Sequence, residues 1–249
     1  MKVIGKDTLI GKRIAKLDAP EKAGGLTRYV HDLALPGQLH AKLLRSSRVH
    51  ARIVRIDVSR ARALPGVHAV ITAADVPWQR PLGVGKDQLP LKGDKVRSPR
   101  DEIAAVAADT EAIALAALAL IEVEYEDLPA LTDPAAALAP GAPVIHGEKL
   151  PAPAPHDSLK PGEPGDAEAH RHNVAMTFDY AQGDVARGEA ESDVVVEGEC
   201  RLHYVTHCCM GVSGVIAECD RSGNLTLHSN TQVPFLHKRE FAEILGIDP

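Results

Sequence analysis

Apolar and polar positions along this chain repeat with two different periods, and the changes of period mark its elements. LHAKLLR (39–45) and ARIVRID (51–57) are short β-prone runs on either side of the polar SSRVH, which predicts two strands joined by a hairpin or a tight crossover. VSRARAL then allows one or two helical turns before PGV stops them, and HAVIT (68–72) predicts a further strand. The stretch from Asp75 to Arg100, rich in Pro, Gly and Lys, is too long for a mere connector.

The clearest unit follows. EIAAVAA reads as a buried strand, Asp109 or Thr110 can cap a helix, and EAIALAALALI is built from the best helix formers. IEVEYE (121–126) alternates strictly, as a half-buried strand does. Together they predict a β-α-β element with a right-handed crossover.

Residues 149–172 hold five prolines and few large apolar side chains, too few to repay the entropy of ordering, so a linker or loop and a domain boundary are expected there. Beyond it, DVVVEGECRLHYVTHC and VIAECDRSGNLTLHSN predict two long strands with a turn at DRSGN. HKREFAEILGI predicts a final helix ended by Gly246.

Composition narrows the function classes. The net charge of −6, without a basic block, repels phosphates and speaks against a nucleic-acid partner. No run approaches the roughly 20 apolar residues of a membrane helix, and the start carries no apolar signal core, so a cytoplasmic location is expected. Only 3% of residues are aromatic, so Ala, Val, Leu and Ile must form the core, which suits packed layers of helix and strand.

His207, Cys208, Cys209 and Cys219 suggest a metal site at first sight. Adjacent cysteines in a strand point to opposite faces, however, whereas structural zinc needs thiolates that converge. The cysteines are therefore expected to be buried and to pack as small hydrophobes, and a small zinc protein is disfavoured. His170 and His172 fall in the proline-rich stretch, and GVGK (83–86) and KAGG (22–25) read as turns. Glu122, Glu124 and Glu126 share one strand face and are expected to be solvated, because nothing nearby would separate their pKa values.

The order of elements carries a resemblance. KLDAPEKAGGLTRYVHDLALPGQLHAKLLRSSRVHARIVRIDVSRARALPGVHAVITAADVP (16–77) and DKVRSPRDEIAAVAADTEAIALAALALIEVEYEDLPALTDPAAAL (94–138) are distinctive over many positions, and GDVARGEAESDVVVEGE (183–199) and TQVPFLHKREFAEILGID (231–248) continue the match. From Ile10 to Pro249 the chain resembles the large, molybdenum-binding subunit of the xanthine dehydrogenase and aldehyde oxidase family of molybdenum hydroxylases. The resemblance implies an α+β fold: an N-terminal α/β hammerhead domain (1–138), a Pro-rich linker (139–173), and the first strands and helix of a molybdenum-cofactor-binding α+β domain (174–249).

In that family a molybdenum-pterin dinucleotide hydroxylates electron-poor carbon in aromatic heterocycles or aldehydes, and some members act reductively on aromatic thioesters. Metal-bound hydroxide attacks, a glutamate serves as base, and electrons leave through two [2Fe-2S] clusters to FAD. The implied partners are the remainder of the molybdenum subunit, an iron–sulfur subunit and an FAD subunit, with a small-molecule substrate. A glycine-rich GGGFG-type loop and the catalytic glutamate lie further on in relatives and are not in this chain, so an N-terminal part, inactive alone, is expected. The alternative is a non-catalytic docking or scaffold module with a hammerhead fold.

HYVTHCCMGVSGVIAECD (203–220) matches the family strand that reads Q-x-H-x-x-x-E beneath the metal. His207 falls on the histidine, Val205 on the glutamine that approaches molybdenum in many oxidising members, and Gly211 on the glutamate. Gln232, in TQVP, falls on a position near the cofactor pocket. The resemblance thus implies Gln232, Val205 and His207 as cofactor-binding positions, with two polar groups of the family missing.

Overall fold

The computed structural model describes residues 11–76, 80–82, 88–146, 173–174, 182–208 and 211–248. His170, His172, Cys209, GVGK (83–86) and the whole proline-rich stretch 149–172 lie outside them. The chain divides into two compact units, Met1–Gly37 with Arg201–Val233, and Gln38–Cys200 with Pro234–Pro249.

The larger unit is organised around β5 (Glu102–Ala108), which lies between β1 (His40–Arg45) and β3 (Val67–Thr72) in an antiparallel sheet. Its continuous apolar run reflects this central position. Ala104, Val106 and Ala108 face a core shared with Ala114 and Ala117 of α3 (Glu111–Leu118), and all five are essentially inaccessible to solvent. Small side chains on both elements let the helix sit close to the sheet. Thr110 caps α3 by accepting from the Ile113 amide at 3.2 Å, and Glu111 in its first turn pairs with Lys42 of β1 at 2.6 Å.

A second antiparallel sheet has β2 (Ala51–Asp57) between β4 (Lys95–Val96) and β6 (Glu122–Asp127). Ala51, Ile53, Val96 and Ile103 form its core, so Ile103 of β5 links the two sheets. Burying a side chain of this size contributes about 1.5–3 kcal/mol. His50, 6% exposed, latches the ends of β2 and β6: its Nδ1 donates to Pro129 O at 2.6 Å, and its carbonyl accepts from the Leu128 amide at 3.0 Å. In the long 75–100 segment, Leu91 and Lys92 are buried, and Lys92 Nζ donates to Leu89 O at 2.7 Å with Glu102 at 3.7 Å and Asp101 at 3.8 Å.

Several expectations hold. α2 (Ser59–Arg62), β3 and α3 stand where patterning puts them, and the three glutamates of β6 are exposed on an edge strand, Glu122 paired to Arg60 and Glu126 to Arg52, each at 3.1 Å. The sheet assignments need correction. Of the hairpin or tight crossover expected at SSRVH, β1 and β2 do not form the hairpin; SSRVH carries the chain across from one sheet to the other. Nor are β5, α3 and β6 a β-α-β element, because both neighbours of β5 are antiparallel and β6 pairs with β2. Periodicity reports which face of a strand is buried, not which strand lies beside it.

The outward face of the first sheet is unusually apolar. Leu43, Ala105 and Ile71 form one cross-strand row and Ala41, Ala107 and Ala69 the next, with Leu43 48% and Ile71 38% exposed. α4 (Pro134–Ala137) follows β6, and α5 (Val185–Glu191) begins at the Asp184 cap. The last helix, α6 (Pro234–Leu245), starts three residues before its predicted position and ends at Gly246 with φ +66°.

Candidate functional site

Val205, His207 and Gln232 all belong to the smaller unit, whose regular elements include the short helix α1 (Ala19–Ala23) and the hairpin of β7 (Val215–Cys219) and β8 (Leu225–Ser229). Its turn is built by Asp220. The carboxylate accepts from the Ser222 and Asn224 amides at 2.8 and 2.9 Å and from Asn224 Nδ2 at 2.8 Å, while Gly223 takes φ +86°. The Asn224 side chain, foremost, holds the Asp220 carboxyl below the usual carboxylate range. At the start of β7, Gly214 lies against His31 and Val30, so that a Cβ there would be 3.4 Å from the His31 ring, and its amide donates to Asn230 Oδ1 at 3.3 Å.

The segment before the hairpin departs from expectation. DVVVEGECRLHYVTHC forms no strand, and both strands lie inside the second predicted stretch. Residues 193–208 run exposed, and Cys208 has φ +46°, outside the β region, so the alternation proposed through it breaks there. Cys200, Cys208 and Cys219 are exposed as well, contrary to the buried packing expected of them, because a strand pattern buries its residues only when another strand or helix covers it. Among the described residues, no three His, Cys, Asp or Glu side chains are placed to hold a metal ion.

Val205 is 75% exposed, and His207 and Gln232 are exposed too. They share a unit but stand on different segments, two before the hairpin and one after it. Gly211, at the position of the family glutamate, has nothing within 4 Å of where a Cβ would be. A pterin dinucleotide needs a cradle of buried donors, and one imidazole and one carboxamide in solvent do not make one. The described residues therefore do not by themselves fit the cofactor. Two atoms of this unit that patterning did not single out, Thr27 Oγ1 and His228 Nε2, are buried without a hydrogen-bond partner, the latter 3.9 Å from Glu218. Burial of single atoms leaves no mark in a sequence, so neither had a signal to be found by.

Two recesses in the larger unit are lined by described residues. One, of about 350 Å³, is lined by Arg62 and residues 67–70; in it His68, at a bulge of β3, binds Asp109 at 2.6 Å. The other, of about 220 Å³, is lined by residues 53–56 of β2, residues 72–74 at the end of β3, and Gly93. Neither contains Val205, His207 or Gln232. Among the described residues no helix is long and apolar enough to cross a membrane.

Comparison with known proteins gives this arrangement its family. Residues 24–129 match the model of the aldehyde oxidase and xanthine dehydrogenase a/b hammerhead domain, and residues 167–249 that of the molybdopterin cofactor-binding domain. The nicotinate dehydrogenase large molybdopterin subunit of Eubacterium barkeri is 32% identical over 98% of this chain and 52% of its own length. The carbon monoxide dehydrogenase large chain of Hydrogenophaga pseudoflava is 33% identical over 90% of this chain and 27% of its own. The chain thus spans about half of the first relative and about a quarter of the second. Among solved structures, a Cu,Mo-CO dehydrogenase in its carbon monoxide reduced state superposes with a TM-score of 0.76 at 31% identity, over 96% of this chain and 30% of that one. Quinoline 2-oxidoreductase from Pseudomonas putida 86 gives 0.73 at 32%, over 95% and 29%. These matches together show that the chain belongs to the large, molybdopterin-binding subunits of the xanthine dehydrogenase and aldehyde oxidase family.

Proposed function

We propose that this chain works as part of a molybdenum hydroxylase large subunit, supplying the hammerhead domain and one wall of the cofactor site, and that it is inactive alone. The observation that carries the reading is that Val205, His207 and Gln232, the positions matching the family's cofactor contacts, stand in solvent with no wall opposite them among the described residues. On this reading protein beyond the described residues encloses that side before a cofactor is held.

On this reading residues 1–138 form the hammerhead domain, 139–173 a linker and 174–249 the start of the cofactor-binding domain. In the completed site the Gln232 carboxamide, which can both donate and accept, and the His207 imidazole would help hold the molybdenum-pterin dinucleotide, and Val205 would present an apolar surface to it. When bound, that cofactor supplies the redox chemistry. An iron–sulfur subunit and an FAD subunit take up the electrons, the substrate is an aromatic heterocycle, an aldehyde or an aromatic thioester, and the complex is cytoplasmic. The match of 167–249 to a cofactor-binding domain argues against a scaffold role alone.

The test is affinity purification of the tagged chain from its native cells. Co-elution of molybdenum, with the visible absorbance of [2Fe-2S] clusters and flavin, is the expected result. Colourless chain eluting without partners contradicts the proposal. In the complex, Gln232→Ala should weaken molybdenum retention by about tenfold or more, as loss of a group that orients bound metal does.

A further inference from the structure

Among the described residues β7 and β8 pair only with each other, and a two-stranded hairpin by itself is marginal in water. What the hairpin packs against therefore decides whether it holds its place. Its open end is Gly214 with Asn230, joined by the Gly214 amide donating to Asn230 Oδ1 at 3.3 Å, and this end meets a segment that precedes β1 in sequence. A Cβ on Gly214 would stand 3.4 and 3.6 Å from Cε1 and Nδ1 of His31, and 3.6 Å from Val30 Cγ1. Gly214 does not have a positive φ, so its backbone does not demand glycine; what the missing side chain permits is the close approach.

The approaching segment is held in shape locally. Val30–Asp32 form a single 3-10 turn in which the Asp32 amide donates to Tyr29 O at 2.9 Å and the Tyr29 amide donates back to Asp32 Oδ2 at 2.8 Å. The Arg28 guanidinium donates to Asp32 O at 2.7 Å. Val30 and His31 thus reach the hairpin from a closed turn, not from a slack arm.

We propose that the turn at Val30–Asp32 is a brace for the hairpin: residues that precede β1 in sequence set the position of the open end of β7 and β8, from which the chain leads back to His207 on one side and on to Gln232 on the other. The brace needs no cofactor. It lies within the smaller unit, so it serves the hairpin and not the sheets of the larger unit, whose cores are closed by their own residues.

The test reads amide hydrogen exchange in the full chain, at β7 and β8 for the hairpin and at β5 for the larger unit. Gly214→Leu drives a side chain into His31 and Val30 and should speed hairpin exchange by about tenfold with β5 unchanged, because one packed unit can open without the other. Gly214→Ala, whose Cβ stands at ordinary van der Waals distance, should change it by less than about twofold. In a His31→Ala background the leucine has room, and there it should speed exchange by no more than about threefold. Unchanged hairpin exchange in Gly214→Leu, a leucine effect of equal size with and without His31, or equal acceleration in β5 overturns the proposal. Should Gly214→Leu fail to fold, Val30→Ala with His31→Ala, which keeps Gly214, still decides it. The hairpin should then exchange about fivefold faster with β5 unchanged, and unchanged hairpin exchange overturns the brace.

Discussion

Gly66 lies directly beneath Ile113: a Cβ at Gly66 would stand 2.8 Å from Ile113 Cδ1 and 3.1 Å from Asp109 Oδ2, and its φ is +85°. The turn into β3 and the first turn of α3 approach this closely because Gly66 has no side chain, and the Asp109 amide donates to Gly66 O at 2.9 Å. Gly66→Ala should therefore destabilise the larger unit by about 2 kcal/mol, combining backbone strain with the clash. Chemical denaturation checks it; an unchanged midpoint would show that the helix can give way.

Ile103, on β5 of the first sheet, is fully buried in the core of the second, so Ile103→Ala should cost about 3 kcal/mol. Leu43 on the outward face of the same sheet offers the contrast, and Leu43→Ser should stay within about 0.5 kcal/mol. A pair of melting curves separates the two, and equal losses would mean that the outward face is covered.

Asp75 accepts from the amide and hydroxyl of Thr72 at 2.8 and 2.9 Å and pairs with Arg62 at 2.8 Å. The Thr72 amide, foremost, holds its carboxyl below the usual carboxylate range. A carboxyl whose pKa is depressed on folding stabilises the fold fully above its unfolded value and loses that contribution as pH falls through the folded one. Stability should thus decline below the ordinary aspartate range, and Asp75→Asn should flatten that acid limb. An acid limb unaltered in the variant would assign it to other carboxyls.

Val196, Leu202 and Tyr204 are 87%, 86% and 90% exposed on a segment whose alternation suits a strand. Such a segment is a template for pairing between chains, so the isolated chain should self-associate, and Val196→Lys with Tyr204→Lys should reduce it. Light scattering after gel filtration decides; a monodisperse parent chain counts against the idea.

How much of this was legible depends on what each residue reports. The run EIAAVAA announces a buried strand, and Thr110 with the Ala-rich stretch after it announces a capped helix, because those signals are local. Which strands pair is not local: β1 and β6 are separated in sequence from their partners β5 and β2, and nothing in LHAKLLR says that it lies beside EIAAVAA. At the candidate site the limit is of another kind. The alternation from Val194 to Tyr204 records a burial that the described residues do not supply, so a strand and buried cysteines were read where the chain is exposed. Val205, His207 and Gln232 were legible through family resemblance alone.

The claim that this chain holds only one wall of its cofactor site is tested most directly by measuring molybdenum, with turnover of an aromatic heterocycle, in the purified 249-residue polypeptide and in the complex recovered from native cells. The account predicts stoichiometric metal and activity in the complex and neither in the lone polypeptide. Stoichiometric molybdenum and turnover in the polypeptide alone would contradict it.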